Sequence, residues 1–469
     1  MSGAAPALAT RLPSTGVLAL YGVAALVVVG VLTVLMRRHR DALPMLAVFA
    51  LPFRVPISSG GRTVNLLVPL YLVVAAGILA HLLPALREAR RSGHWGLGRP
   101  RRELAFWATP SGLTWLLGAT VALYALQTTY SSDAAKGGEN LLFFYLPFGF
   151  LFVLLSMVRW SRELLLRCLA IAVVEAVLFA GVGFVEYYRK SLFLNPKVVA
   201  ANQFDNYFRV NSVFFDPSIY GRFLALVMIA VCTVVLWVAD RRVVIAGACV
   251  LGWLLAGLVT SFSQSSIAAL LLGLAVLGAW RYGVRVTLLT SAGLLVLALV
   301  VLLAAPKSLH FGLKGSGGST SNATSGRSTL IEGGLKLFAR RPLQGYGSGS
   351  FETEYRRVAD TTNQNAVSAS HTIPVTISAE QGVIGLAMYV ALLLSAFAVL
   401  FRGAGRSPPR IAIAACFAAL VLHTWTYADF LEDPFTWTLL AVGAALARAG
   451  APGPAAAPAQ PLRAQAVGP

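Results

Sequence analysis

His371 is the residue of this chain whose type and position best suit acid–base chemistry. It stands just before an apolar segment and is followed in that segment by Glu380, Gly382 and Gly385. Since an imidazole titrates near neutral pH, a histidine at the point where a loop enters a bilayer could act as a general base. Glu380 could either orient that imidazole or cap the helix that follows, and the sequence favours neither interpretation.

Several positive residues outside the short basic connections could bind an anionic group, and Arg209, Arg222 and Arg327 are among them. Arg209 precedes an apolar segment, Arg222 lies just inside it, and Arg327 opens a predicted amphipathic helix over 327–340. A guanidinium group holds a phosphate through two parallel hydrogen bonds. These arginines therefore indicate a ligand that is rich in phosphate, such as a lipid head group.

The composition places these residues in an integral membrane protein. Of 469 residues, 57% are hydrophobic and only 12% are charged, whereas soluble domains carry about 25% charged residues. The mean hydropathy is +0.72. The 38 Lys and Arg exceed the 19 Asp and Glu, giving a formal charge of +19. In such a chain part of this excess indicates anchoring on the cytoplasmic side of the membrane rather than binding of nucleic acid, and the part in the outer loops suggests an anionic ligand there.

The apolar segments predict an all-α polytopic fold with about 12 or 13 transmembrane helices, since a span needs about 20 apolar residues. The predicted spans are 16–36, 41–53, 64–83, 110–127, 140–158, 164–185, 218–239, 243–261, 265–280, 286–304, 376–401, 411–427 and 434–448. The 41–53 segment is short and could be re-entrant, so the orientation of the N-terminus depends on it. Every second connection is basic, which places those connections and the C-terminus in the cytoplasm.

This topology divides the chain into four parts. Residues 1–304 hold the first ten transmembrane helices, with an extracytoplasmic loop near 186–215. Residues 305–375 form a large, partly helical extracytoplasmic loop, and 376–449 hold the last helices. Residues 450–469 are predicted to be a disordered cytoplasmic tail.

Four motifs of the outer regions together resemble the O-antigen ligase and O-antigen polymerase superfamily. They are Arg209-Val-Asn-Ser-Val-Phe-Phe-Asp-Pro217, Arg327 at the start of a loop helix, the turn-rich Arg341-Pro-Leu-Gln-Gly345-Tyr-Gly347-Ser-Gly-Ser-Phe351, and the His371 segment. In that family a histidine and one polar residue are followed, after nine residues, by Gly-x-x-Gly, and the spacing from His371 to Gly382 and Gly385 fits. Thr372 stands where the family carries Asn, Ser or Gln, and Gln264 stands where many members carry arginine.

The resemblance implies a fold like that of C-type glycosyltransferases and an enzyme that works without a metal or other cofactor. The donor would be a glycan on a polyprenyl (undecaprenyl) diphosphate, and the acceptor a glycan or glycolipid hydroxyl at the periplasmic face of the bacterial inner membrane. His371 would act as the general base, and Arg209, Arg222 and Arg327 would hold the pyrophosphate. Direct attack would invert the anomeric centre. The supporting residues would be Thr372, Glu380, Gly382, Gly385 and Gln264.

Two other functions stay open at the level of sequence. A polymerase that joins lipid-linked repeat units would use the same donor and the same kind of site. The order of the loops and the His-to-Gly spacing slightly favour the ligase. A flippase for lipid-linked oligosaccharides would show internal repeats and ionisable groups deep in the membrane, and the sequence offers one carboxylate of that kind, Glu175.

An acidic group in the last outer connection is predicted to lie in a solvated turn, although it could hold acceptor hydroxyls. Its members are Asp429, Glu432 and Asp433. No histidine stands at a matching distance, and the four cysteines lack metal-ligand spacing. The sequence therefore predicts no metal site.

Overall fold

The computed structural model describes residues 15–59, 62–92, 104–193, 208–304, 327–359 and 372–450. Within these ranges the protein is a bundle of α-helices with one short β-hairpin. The helices of the first half are α1 (Thr15–Arg38), α2 (Ala42–Ala50), α3 (Val68–Ser92), α4 (Leu104–Trp107), α5 (Pro110–Thr128), α6 (Ala134–Ser156) and α7 (Arg162–Arg189). The helices of the second half are α8 (Pro217–Trp237), α9 (Arg241–Thr260), α10 (Gln264–Tyr282), α11 (Val284–Ala304), α12 (Arg327–Arg340), α13 (Phe351–Ala359), α14 (Ile373–Phe401), α15 (Pro408–Thr426) and α16 (Pro434–Ala449).

A helix lies at each of the thirteen predicted spans, and the all-α polytopic class is confirmed. Among the described helices, nine are long and apolar enough to cross a membrane, so the protein is a multi-pass membrane protein. These nine are α1, α3, α6, α7, α8, α9, α10, α14 and α15. The segment predicted as a doubtful span at 41–53 forms the helix α2, which has nine residues and is too short to cross a bilayer as an α-helix.

A β-hairpin after α2 is the main departure from the predicted helices. The strands β1 (Val55–Ser59) and β2 (Arg62–Leu66) pair in antiparallel fashion, with Val55 opposite Leu66. The hairpin reverses the chain between α2 and α3. The span predicted to begin at residue 64 therefore begins at Val68, where Pro69 occupies the first turn and suits a helix start.

The basic connections lie together at one end of the bundle, called here the basic end. Arg167, near the start of α7, pairs with Asp41 at the start of α2, at 3.0 Å. At the same end, Arg448 of α16 donates to the carbonyl of Ser156, the last residue of α6. Since successive long helices alternate in direction, the connections that carry Arg209, Gln264 and the acidic turn lie at the opposite end.

Polar caps fix where the helices begin. A side-chain oxygen of the preceding residue accepts a backbone N–H of the first turn in seven of them, and such caps contribute about 1 kcal/mol each. The seven capping residues are Thr109, Asp133, Ser161, Asp216, Asp240, Ser263 and Asp433. Two of the acidic caps, Asp216 and Asp433, begin α8 and α16 at the end opposite the basic connections.

Helix α8 is the most enclosed of the nine candidate spans. It packs between α7 and α9 through glycines, since a Cβ added to Gly183 or Gly257 would lie 2.9 Å from the Tyr220 hydroxyl. Leucines that are exposed on the outer helices, such as Leu178 of α7 and Leu295 of α11, face outward, as expected for surfaces in contact with lipid. Glu175 of α7 is buried, and its carboxylate has no hydrogen-bond partner among the described residues.

Candidate active site

The segment that carries Arg209 is held against the C-terminal end of α9. Val210 donates its backbone N–H to the Thr260 carbonyl at 3.2 Å, and Arg209 Nε donates to the Ser261 carbonyl at 3.2 Å. The Arg209 side chain is partly exposed. Its guanidinium group therefore lies beside the turn between α9 and α10, with part of its surface open to a ligand.

Glu186, near the end of α7, holds the described parts of the loop that follows. Its carboxylate accepts backbone N–H groups from Phe193 at 3.0 Å, from Asn211 at 3.3 Å and from Ser212 at 2.7 Å. The side chain is fully buried. Sequence analysis did not identify Glu186, although a carboxylate at the junction of a span and a polar loop is a signal that could have found it.

Arg222 lies in the second turn of α8 and is buried against the acidic turn. Its Nη2 atom is 2.8 Å from the Asp433 carboxylate, and both side chains are 1% exposed. Its Nη1 atom donates to the Asp429 carbonyl at 3.3 Å. The prediction of a solvated turn is wrong for Asp433, because this carboxylate is the counter-charge of a buried guanidinium. The contact of Arg222 with a pyrophosphate stays a prediction.

The turn between α9 and α10 separates Arg209 from Arg222. A Cβ on Gly221, the neighbour of Arg222, would lie 2.7 Å from the Ser266 hydroxyl, so α8 packs directly against this turn. Gln264 is the first residue of α10, and its side chain is exposed. Arg209 and Gln264 thus lie at this turn, and Arg222 lies on the helix that packs against it.

His423, in α15, is a buried histidine that sequence analysis did not single out. Its Nε2 atom lies 3.1 Å from Ser266 Oγ and 3.4 Å from Ser265 Oγ. Ser263 Oγ extends this network at 2.7 Å from Ser266 Oγ. The network joins α10 to α15 next to the arginines. An ionisable side chain inside the apolar segment was the signal that could have found it.

The turn-rich stretch 342–351 packs on protein backbone through its glycines. Gly345 and Gly347 have φ angles of 67° and 93°, which favour glycine because a Cβ would clash. A Cβ on Gly345 would also lie 2.2 Å from the Glu380 carbonyl oxygen, and Gly347 donates its N–H to that oxygen at 2.7 Å. The glycines of this stretch thus bring its backbone into direct contact with α14.

Glu380 caps a helix that precedes it in the sequence. Its carboxylate accepts the backbone N–H of Gly349 at 2.9 Å and that of Phe351, the first residue of α13, at 3.0 Å. The side chain is buried. Glu380 was predicted either to cap the helix that follows it or to orient His371. The structure shows it fixing the start of α13 instead of a helix that follows it, and a role in orienting His371 stays a prediction.

Gly382 forms a kink in α14 that receives the same stretch. Its φ and ψ are 64° and −161°, and a Cβ there would lie 2.3 Å from the Leu343 carbonyl oxygen. The next residue, Val383, donates its N–H to the Pro342 carbonyl at 2.7 Å. Gly385 is buried one turn further along α14. The Gly-x-x-Gly motif therefore lies where the outer loop meets the membrane helix.

Helix α6 and the residues before it connect the loop to the acidic turn. Ser131 Oγ donates to the Ser348 carbonyl at 2.9 Å, and Asn140 Nδ2 donates to the Glu432 carboxyl at 2.9 Å. The arginine group around α8 and the glycine group around α14 are thereby parts of one continuous polar region at this end of the bundle.

Two carboxyls of the acidic turn are partly exposed and have raised pKa values. Burial, and then the charge of Asp429, raise the pKa of Glu432 to about 8, although Lys136 lowers it. Burial also raises the pKa of Asp429, against the opposing charges of Arg222 and Arg54. The folded protein therefore favours the protonated form of Glu432. Arg54, in the connection after α2, is a cation of this region that sequence analysis missed.

The remaining predicted residues are placed only in part. His371 lies outside the described residues. Arg327 is the first residue of α12, as predicted, but its side chain is outside the description. Thr372 is the residue before α14 and is partly exposed. Within the described ranges, no group of three or more His, Cys, Asp or Glu side chains could hold a metal ion, and independence from metal stays a prediction.

Comparison with known proteins places the middle of the chain in a family. Residues 248–390 match the family model described as O-antigen ligase. The matched region includes the turn between α9 and α10, both loop helices and the kink in α14. No curated protein matches the chain. This match supports the resemblance to the O-antigen ligase and O-antigen polymerase superfamily that the sequence motifs indicate.

Proposed function

We propose that this protein is a membrane glycosyltransferase of the ligase type. It would transfer a glycan from a polyprenyl diphosphate to an acceptor hydroxyl at the periplasmic face of the inner membrane, without a metal ion. The family match supports the class of enzyme. The observation that carries the assignment of the site is the position of Arg209, Gln264 and the α14 kink at one end of the bundle. That end lies opposite the basic connections, which stay in the cytoplasm.

The donor end of the site would be built around Arg209. As the bond between the sugar and the diphosphate breaks, negative charge builds on the bridging oxygen, and a preorganised cation stabilises it. Arg209 is partly exposed and is fixed at its Nε by the Ser261 carbonyl, so a guanidinium group is held in place at this end of the bundle. Arg327, at the start of α12, is proposed as the second phosphate ligand.

Arg222 would act differently from Arg209 because it is buried. Its guanidinium group faces Asp433, so it would hold the acidic turn in place and add positive charge behind the donor. A direct contact with the pyrophosphate would need Asp433 to release it. Asp429 and Glu432, which are partly exposed on the same turn, would be available to bind hydroxyl groups of the acceptor.

His371 would be the general base. The acceptor oxygen attacks the anomeric carbon, its proton passes to the imidazole, and the electron pair of the broken bond leaves with the lipid diphosphate. The attack inverts the anomeric centre. A positioned base contributes about 10²–10⁴-fold to the rate of such a step. Because Glu380 and Gly382 fix the start of α14 against the 342–351 stretch, they would determine where the segment before α14 enters the site.

The test uses purified protein in proteoliposomes with an undecaprenyl-diphosphate-linked oligosaccharide as donor. His371→Ala should lower the rate of glycan transfer at least about 100-fold, whereas His39→Ala, at an exposed histidine of the basic end, should leave it unchanged. EDTA should have no effect on the rate. Transfer by the His371 variant at more than about a tenth of the normal rate would contradict the proposed base, and a strict requirement for a divalent ion would contradict the metal-free mechanism.

The acceptor distinguishes the ligase from the polymerase. With a lipid A–core acceptor present, a ligase forms a core-linked glycan. With donor alone, a polymerase forms a longer lipid-linked glycan. Formation of only the second product would assign the polymerase function, and absence of both products from folded protein would overturn the transferase assignment.

A further inference from the structure

Two grooves flank the end of α16 at the basic end of the bundle, away from the candidate active site. The first groove has a volume of about 850 Å³ and lies between the start of α5, the end of α14 and the end of α16. The second has a volume of about 590 Å³ and lies between the end of α6 and the end of α16. Leu446 and Ala449 line both grooves, so the last turn of α16 separates them.

Each groove carries two arginines. Arg402 and Arg410 line the first groove, and Arg159 and Arg448 line the second. No aspartate or glutamate lines either groove, and none of the four arginines forms an ion pair among the described residues. The grooves therefore hold four positive charges without a neighbouring carboxylate.

The four arginines fall into two kinds. Arg410 donates to the carbonyls of Arg402 and Val399 at the end of α14, and Arg448 donates to the carbonyl of Ser156. These two have structural partners. The side chains of Arg402 and Arg159 are exposed and make no hydrogen bond among the described residues, so both are available to a ligand.

The grooves have apolar residues in their walls, which favours an anionic ligand that also carries an apolar part. Val399, Leu446 and Ala447 line the first groove, and Met157 and Val158 line the second. Helix ends of a multi-pass protein lie at the depth of the lipid head groups. A basic pocket between helix ends on the cytoplasmic side suits an anionic head group with its acyl chains against the apolar wall. General anchoring by positive residues would explain an excess of charge on this side of the membrane. It would not explain why the four arginines lie in grooves that no carboxylate lines.

We propose that the two grooves beside the end of α16 bind anionic phospholipid of the cytoplasmic leaflet, with Arg402 and Arg159 contacting the phosphate groups. The lipid would fill the gaps between α5, α6, α14 and α16. Since α14 and α16 continue to Glu380 and Asp433 at the opposite end, a lipid bound here would stabilise the two helices that carry those residues.

The experiment measures binding of phosphatidylglycerol and cardiolipin to the full chain. Arg402→Gln combined with Arg159→Gln removes the two unpartnered guanidinium groups and leaves the structural contacts of Arg410 and Arg448. The matched control combines Arg242→Gln with Arg285→Gln, two exposed arginines of the same end that line neither groove. Lipid retained by the purified protein is counted by native mass spectrometry and titrated in nanodiscs against a phosphatidylcholine background.

The groove variant should lose affinity for anionic lipid by at least about 30-fold, because each substitution removes both a charge near the lipid surface and a charge-assisted hydrogen bond to a bound phosphate. The control removes only charge near the surface and should change less. Equal loss in both variants would reduce the effect to the overall charge of this face and overturn the proposal. Retention of anionic lipid by the groove variant at the normal level would do the same. Displacement of the lipid by millimolar inorganic phosphate would show that the grooves recognise a free anion rather than a lipid.

Discussion

The Arg222 guanidinium group and the Asp433 carboxylate lie 2.8 Å apart and are both almost completely buried. Asp433 also accepts the N–H of Phe435 at 2.8 Å and so caps α16. One carboxylate thus joins the most enclosed helix of the bundle to the last one. A buried ion pair of this kind contributes little net stability, but removal of one partner leaves an uncompensated charge and costs about 3–5 kcal/mol.

Single and double variants of Arg222 and Asp433 separate the contribution of this ion pair to stability from its contribution to glycan transfer. Arg222→Met alone and Asp433→Asn alone should each lower the thermal stability of the purified protein. The double variant should recover most of that loss, because it leaves no unpaired charge and the introduced asparagine can still cap α16. Glycan transfer should stay low in the double variant, since the positive charge is missing. If the double variant transfers glycan at the normal rate, Arg222 serves the fold only.

The carboxylate of Glu380 provides a second test, at the junction of α13 and α14. Glu380→Ala removes the acceptor for two buried backbone N–H groups, those of Gly349 and Phe351. An unsatisfied buried donor costs about 1–3 kcal/mol, so a clear drop in melting temperature is expected, together with slower transfer. Glu380→Gln retains one acceptor oxygen, so its melting temperature should lie between those of Glu380→Ala and the normal protein.

The control for Glu380 is a carboxylate of α13 itself. Glu352 pairs with Arg356 one turn away, and both side chains are partly exposed, so Glu352→Gln should change stability by less than about 1 kcal/mol. An unchanged melting temperature of Glu380→Ala would mean that the cap on α13 is not formed in the membrane.

The helices could be predicted because each span leaves about 20 apolar residues in the sequence. The hairpin between α2 and α3 was missed, although Gly60-Gly61 between two short runs that contain Val, Ile and Thr is a sequence signal for a two-residue β-hairpin. Likewise Arg327 was predicted correctly as the start of α12, since the amphipathic period and the preceding glycine-rich stretch mark that boundary.

The contacts within the site were harder to predict than the residues. Arg209 was identified from residue type and position, and Gln264 and the Gly-x-x-Gly motif from the family resemblance, but their partners were not. Arg222 meets Asp429 across 207 positions of sequence, and Asn140 meets Glu432 across 292. Such contacts follow from the packing of α6, α8 and the acidic turn, which no local pattern encodes. The acidic turn was predicted to be solvated for the same reason.

The kink at Gly382 can be tested by an alanine substitution, with a second helical glycine, Gly252, as the control. Gly382→Ala places a Cβ 2.3 Å from the Leu343 carbonyl oxygen at a φ of 64°, so the backbone of α14 or of the 342–351 stretch must move. Both stability and transfer should fall. Gly252→Ala in α9 meets no atom within 4 Å and should be neutral or slightly stabilising, because alanine favours a helix by about 1 kcal/mol. If the two variants have the same melting temperature and the same rate of glycan transfer, the kink at Gly382 is not required.

The last prediction concerns pH and the carboxyl of Glu432. Its pKa is raised to about 8 in the folded protein, mainly by burial and then by the charge of Asp429. The pKa of a glutamate in the unfolded chain is about 4.3. A raised pKa means that the folded state prefers the proton. The contribution of Glu432 to stability is therefore fully present below about pH 4.3 and is lost as pH rises through about 8.

Glu432→Gln fixes that side chain in a neutral form and retains an acceptor for Asn140, which donates to Glu432 at 2.9 Å. The melting temperature of the variant relative to the normal protein should increase steadily between about pH 5 and pH 9, since only the normal protein loses a proton there. Leu178→Met on α7, at an exposed side chain that carries no titratable group, serves as the control and should show a difference in melting temperature that does not change with pH. A flat difference for Glu432→Gln as well would mean that this carboxyl is ionised and solvated, and the acidic turn would then present a charged rather than a neutral group to the acceptor.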